Sequence, residues 1–164
     1  MTGETRWLTD DEQSAWQAYR LMFRQLDAAL ARELARDSAL SLQDYDVLSA
    51  LTDERRYRLC AKDLSAHLLW SPSRLSHHVD RMQQRGLVRR DNCTKGRGTD
   101  VVLTPKGVAA IEAAAPGHVA AVRETFIDRL TPTELATLAR VSNTVIDGLS
   151  AGNCAGAASG QRPP

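Results

Sequence analysis

Near the N-terminus, apolar residues recur in steps of three and four. They run through Trp16, Tyr19, Phe23, Leu26, Leu30 and Leu34, with Arg20, Arg24, Asp27, Arg32 and Glu33 mostly on other faces. That is the period of an amphipathic helix and not of a strand. Thr9 followed three residues later by Glu12 forms a capping-box start, so the spacing predicts one long helix over 9–36. After a loop at Asp37–Ser41, a shorter helix is predicted from Leu42 to Leu51, carried by Tyr45, Leu48 and Leu51. Two more short helices follow. One spans Cys60–Leu69 with Leu64 and Leu68 apolar, and the other spans Ser71–Arg85 with Leu75, Val79 and Met82 apolar. Ser71-Pro72 is a cap followed by a proline that loses no hydrogen bond at the first helical position, and Gly86 can close the C-terminus.

The pattern then changes. Leu87–Asp91 and Thr99–Thr104 hold the pairs Leu87-Val88 and Val101-Val102 and flank the turn-forming run 92–98, which reads as a β-hairpin with a long basic tip. Thr104-Pro105 repeats the cap-and-proline start. The apolar positions Val108, Ile111, Ala115, Val119, Val122, Phe126 and Leu130 keep register across Pro116-Gly117, predicting one long helix kinked near Pro116. A last helix begins at Thr131-Pro132 and carries Leu135, Leu138, Val141, Val145 and Leu149; Gly, Ala, Ser and Pro dominate 150–164, which is expected to be a disordered tail. The predicted class is mainly α with a small β-hairpin. At 164 residues the chain is expected to form a single domain, with a lobe at 42–104 and flanking helices at 9–36 and 105–149.

Charge turns this outline into a function. The formal net charge is only +1, yet residues 54–97 hold eleven basic side chains against four acids, leaving ten basic and sixteen acidic residues elsewhere. The middle block is therefore +7 and the remainder −6, and a polyanion is the natural partner for the block. The block coincides with helix, turn, helix and hairpin, the order of a winged helix-turn-helix. A wheel drawn from Leu75 turns Leu75, Val79 and Met82 inward and Ser73, Arg74, His77, Arg81 and Gln84 outward. Arginine's forked donors read guanine in the major groove, making Arg74 and Arg81 the leading base readers, while Lys62, Arg89 and Arg90 suit phosphates. Ser71, His78, Lys95 and Arg97 complete the candidate DNA contacts.

Other chemistries have little support. The chain has no GxSxG, GxxxxGK, HExxH or GxGxxG, so an enzyme is not expected. Cys60, Cys93 and Cys154 lie far apart without CxxC or His/Cys spacing, which points to a reducing compartment, no cofactor and no metal. His77-His78 diverge by about 100° on a helix and suit a shared ligand poorly; His67 and His118 read as ordinary surface or partly buried residues. Cys60 reads as a small core or interface residue, and Cys93 as an exposed thiol on the hairpin tip. No apolar run is long enough to span a bilayer, and Met1–Leu8 lacks the features of a secretory signal, so the expected location is the cytoplasm.

The runs Ser71-Pro72-Ser73-Arg74-Leu75, Asp80-Arg81-Met82, Arg85-Gly86-Leu87-Val88-Arg89-Arg90, Gly96-Arg97-Gly98 and Leu103-Thr104-Pro105-Lys106-Gly107 together resemble the MarR family of bacterial regulators, over about residues 8–149. The resemblance implies a homodimer with interlaced terminal helices, each copy placing a recognition helix in a major groove and a wing against a minor groove of a pseudo-palindromic operator. It also implies a repressor relieved by a small aromatic or phenolic effector, for which Trp16, Tyr19, Arg20, Phe23 and Tyr45 are the candidate pocket residues. Where the family usually has an acid two residues before the wing arginine, this chain has Lys95. An effector-independent or architectural DNA binder, or a thiol- or metal-responsive regulator, are the alternative readings.

Overall fold

The computed structural model describes residues 5–54, 57–93 and 98–158, with side chains as far as 150. The chain divides into two compact units, 1–122 and 123–164. In the first, helix α1 (Asp10–Asp37) starts as predicted: the Thr9 hydroxyl accepts from the Glu12 amide and the Glu12 carboxylate accepts from the Thr9 amide at 2.8 Å. Helix α2 (Leu42–Thr52) has the same device in Ser41 and Asp44. Helices α3 (Ala61–His67) and α4 (Pro72–Gln84) follow, then strands β2 (Val88–Asn92) and β3 (Thr99–Leu103), and then α5 (Pro105–Thr125).

The predicted hairpin is in fact part of a three-stranded antiparallel sheet in the order β1-β3-β2. Strand β1 (Arg58–Cys60) takes the start of what the sequence suggested was a helix from Cys60, so that helix is shorter than expected. Three residues are too few for alternation to declare itself, and pairing with β3 makes them a strand, with Arg58 opposite Val102 and Cys60 opposite Asp100. On the other side, β2 pairs Val88 with Leu103 and Asn92 with Thr99.

The core lies between the helices and this sheet. Leu34 of α1 joins Val47, Leu48 and Leu51 of α2, Leu64 of α3, Val79 and Met82 of α4, and Val88 and Val101 of the sheet, all essentially without exposure. Fully burying a side chain of this size contributes roughly 1.5–3 kcal/mol. Gly107 shows how closely α5 is seated, since a Cβ there would lie 2.1 Å from the Leu87 carbonyl oxygen. Thr104 fixes the approach: its hydroxyl accepts from the Gly107 amide and contacts the carbonyls of Gly86 at 2.7 Å and Leu87 at 3.1 Å. Helix α5 runs unbroken through Pro116 and ends at Thr125, short of the expected boundary.

The second unit contains a 3-10 turn (Ile127–Arg129) and helix α6 (Pro132–Ala158). Thr131 caps α6, with its amide donating to Glu134 at 2.8 Å; those hydrogen bonds hold the Glu134 carboxyl below its ordinary value. The helix continues past 149, where the sequence suggested an end, because alanine favours the helix even where no apolar stripe supports it. Residues 159–164 of the expected tail lie outside the described residues.

Candidate nucleic-acid interface

Helix α4 is set by both its ends. Ser71 caps the N-terminus by accepting from the Arg74 amide, with Pro72 at the first position, and Gly86 beyond the C-terminus adopts φ +75°, which a side chain would strain. The preceding turn is closed by Ser65, whose hydroxyl donates to the Trp70 carbonyl at 2.6 Å and whose own carbonyl accepts from the Trp70 amide at 3.0 Å. Helix-turn-helix geometry follows, with Leu75, Val79 and Met82 buried and Ser73, Arg74, His77, Arg81 and Gln84 exposed.

Several predicted contacts have other occupations. His78, counted with the DNA contacts, is buried, with its ring edge against Trp70 at 5.3 Å between centroids. Its Nε2 comes to 3.0 Å of Asp44 Oδ1, and its Nδ1 lies 3.0 Å from a terminal nitrogen of Arg81. A guanidinium only donates, so Nδ1 accepts, and the ring proton sits on Nε2 facing Asp44. The heptad-like spacing hid this because His78 occupies the edge of the buried face, next to Val79. It thus lies off the exposed face of α4, beside Arg81.

Asp44 is the functional residue that sequence reasoning missed. The signal was present, since Asp44 stands three residues after Ser41 as a capping-box acid. Burial would raise its carboxyl pKa; the approach of His78, the Arg85 hydrogen bond at 2.6 Å and the cap bonds from Ser41 outweigh that and hold it well below the usual carboxylate range. The Arg85 bond to Asp44 thus ties the end of the recognition helix to the N-terminus of α2, with His78 lying between Asp44 and Arg81.

Arg74 stacks its guanidinium over the Trp70 ring, 4.2 Å from the centroid. This limits its rotamers and keeps it on the exposed face. Arg90, expected to meet phosphates, donates to Asp80 at 2.8 Å and to the Ser76 carbonyl at 3.1 Å, pinning β2 to α4. Arg89 is exposed and pairs with Asp91. Lys62 and His77 are exposed, while the Ser71 hydroxyl is committed to the cap. Lys95 and Arg97 lie outside the described residues.

A cavity of about 740 Å³ opens beside α4, lined in part by Asp44, Arg74, His78, Arg81 and Arg85. A second, of about 650 Å³, lies between α3, α4 and the sheet. None of the five predicted effector residues lines either one. Trp16, Tyr19 and Arg20 form their own exposed cluster on α1, with Trp16 and Tyr19 stacked at 5.9 Å and Arg20 over Trp16 at 5.7 Å; Phe23 is exposed as well. Tyr45 is elsewhere, its ring 4.2 Å from that of His118 on α5. His118 Nδ1 in turn lies 3.8 Å from Glu33 Oε2, and neither buried atom has a hydrogen-bond partner among the described residues. Burial, and then the Glu33 charge, push the Tyr45 phenol pKa up.

A capped, amphipathic second helix with basic residues outward, braced by a short sheet, defines a winged helix-turn-helix, a class that reads DNA. No protein-family model matches the sequence, and no curated protein does. Solved structures do match. AbsC, a MarR family transcriptional regulator from Streptomyces coelicolor, is 38% identical with a TM-score of 0.85, over 90% of this chain and 99% of that one. Sco3205, a MarR family regulator from the same organism solved in complex with DNA, is also 38% identical with a TM-score of 0.85, over 90% and 93% of the two chains. BpsR of Bordetella bronchiseptica shares the fold at 22% identity, with a TM-score of 0.73 over 87% and 99%. This chain belongs to the MarR family and is a DNA-binding transcriptional regulator. Among the described residues no helix is long and apolar enough to cross a membrane.

Proposed function

We propose that the protein is a sequence-specific repressor that binds a pseudo-palindromic operator as a homodimer and is released by a small aromatic or phenolic effector. The observation that carries operator reading is Arg81, exposed on the outer face of α4 and held from behind by His78 and Asp44. A guanidinium positioned before binding loses less freedom when it grips a guanine edge. Homodimerisation is supported by apolar side chains left in water: Trp16, Tyr19 and Phe23 on α1, and Val141, Val145, Ile146 and Leu149 on α6. A symmetric pair would place two recognition helices about one helical turn of DNA apart.

The effector reading is supported by the half-buried Glu33, His118 and Tyr45 group. Its unpartnered acceptor and ring nitrogen match a phenolic hydroxyl, and the flat Tyr45 and His118 rings match an aromatic ligand. The test is affinity for genomic fragments and scrambled duplexes at two salt concentrations, repeated with aromatic acids and phenols. Tight selective binding that a phenol weakens, and that a His118→Ala variant leaves insensitive to the phenol, is the expected result. Equal affinity for all sequences would instead mark an architectural DNA binder.

A further inference from the structure

Strand pairing gathers, at the base of the wing, three side chains that the sequence keeps apart. Cys60 on β1 lies directly across from Asp100 on β3, which lies across from Asp91 on β2. Residues directly opposite share a face of the sheet, and so do residues two apart along a strand. Cys93 follows Asp91 by two, and its amide donates to the Gly98 carbonyl at 3.1 Å, continuing the pairing beyond β2. Cys60, Asp100 and Cys93 therefore meet on one face, with one ligand atom from each lying within 4.8 Å of the others. The residue that would separate them is a glycine. A Cβ on Gly98 would sit 3.8 Å from Cys60 Sγ and 3.9 Å from Cys93 Cβ, and at φ +143° the position favours glycine in any case.

We infer that Cys60, Cys93 and Asp100 form a binding site for a thiophilic divalent cation of the zinc class, clamping the base of the wing. Zinc binds thiolate at about 2.3 Å and carboxylate oxygen at about 2.0–2.2 Å, so tetrahedral ligand atoms stand roughly 3.5–3.8 Å apart, a spacing side-chain rotation reaches from here. Two sulfurs exclude magnesium and calcium, which take oxygen ligands. Three protein ligands leave a fourth position for water. Charge also balances. Two thiolates and the Asp100 carboxylate carry −3, and Arg58, which donates to Asp100 at 2.8 Å and 3.0 Å, brings +1 beside a +2 ion. Binding converts two thiols to thiolates and releases two protons. Because β1, β3 and the residue after β2 each give one ligand, the ion would join all three strands at the base of the wing.

The test titrates cobalt(II) into the reduced, metal-free full chain. One equivalent per chain should develop a thiolate-to-cobalt charge-transfer band and tetrahedral visible bands. Cys93→Ser, at a half-buried position, should lose both while keeping the wild-type circular dichroism spectrum, and Cys154→Ser should keep both. Excess zinc should raise the melting temperature of wild type, by mass action on the folded state, and leave Cys93→Ser unmoved. These readouts do not depend on DNA binding. No thiolate band, bands that survive Cys93→Ser, or bands lost in Cys154→Ser would each overturn the site. A reduced chain that binds no cobalt yet loses two hydrogens on oxidation, with Cys60 and Cys93 cross-linked, would replace it with a redox pair.

Discussion

Helices α4 and α6 carry the same kind of pattern and meet opposite fates. In α4, the apolar residues Leu75, Val79 and Met82 are buried within their own chain, and the polar residue His78 beside them lies between Asp44 and Arg81. In α6, Val141, Val145, Ile146 and Leu149 remain 45–66% exposed. Periodicity tells that an apolar face exists, but not what covers it. The first helix belongs to a lobe whose core is complete in one chain, and the second presents an apolar face that the proposed homodimer would cover.

The hardest way to break this comparison is at the lobe. Leu48→Ala, at a position with no exposure, should cost about 2–5 kcal/mol of folding stability in chemical denaturation, because the surrounding elements cannot collapse onto the cavity. Ile146→Arg should act on association instead. The mass in light scattering should fall to that of the 18.0 kDa chain, while the helical circular dichroism signal is retained. If Ile146→Arg were instead as destabilising as Leu48→Ala without changing the mass, the contrast between the two faces would be wrong.

Within the lobe, Asp44→Ala leaves Arg85 and His78 without their partner, at a cost of about 1–3 kcal/mol. Its pH signature follows from the lowered carboxyl. With the folded pKa below the unfolded value near 3.8, the stabilisation is present in full above that value and is lost as the pH falls towards the folded one. Asp44→Asn should therefore flatten the acid limb of the stability profile. Arg81→Ala should cost about 1–3 kcal/mol on operator DNA and much less on scrambled DNA. His78→Ala should lose part of the same selectivity without touching the DNA. The smallest effect is at the far end of α1, where Thr9→Ala removes a capping box and should cost about 1 kcal/mol, read as a small shift in melting temperature.

Much was legible because it is local. The start of α1 at Thr9, the Ser71-Pro72 start of α4, its outward Arg74 and Arg81, and the β2–β3 hairpin each depend on neighbours a few residues apart, and those neighbours are adjacent letters in the sequence. Basic charge concentrated on that segment named the partner for the same reason: field follows composition within a short stretch. What the tertiary structure alone decided depends on residues far apart along the chain. Strand β1 exists because β3 offers its edge, Arg90 pairs with Asp80 because β2 packs on α4, and His78 faces Asp44 across two helices. Cys60, Cys93 and Asp100 carry no motif spacing and become neighbours only through strand register, which is set by pairing energies summed over the whole sheet and not by any one of the three residues.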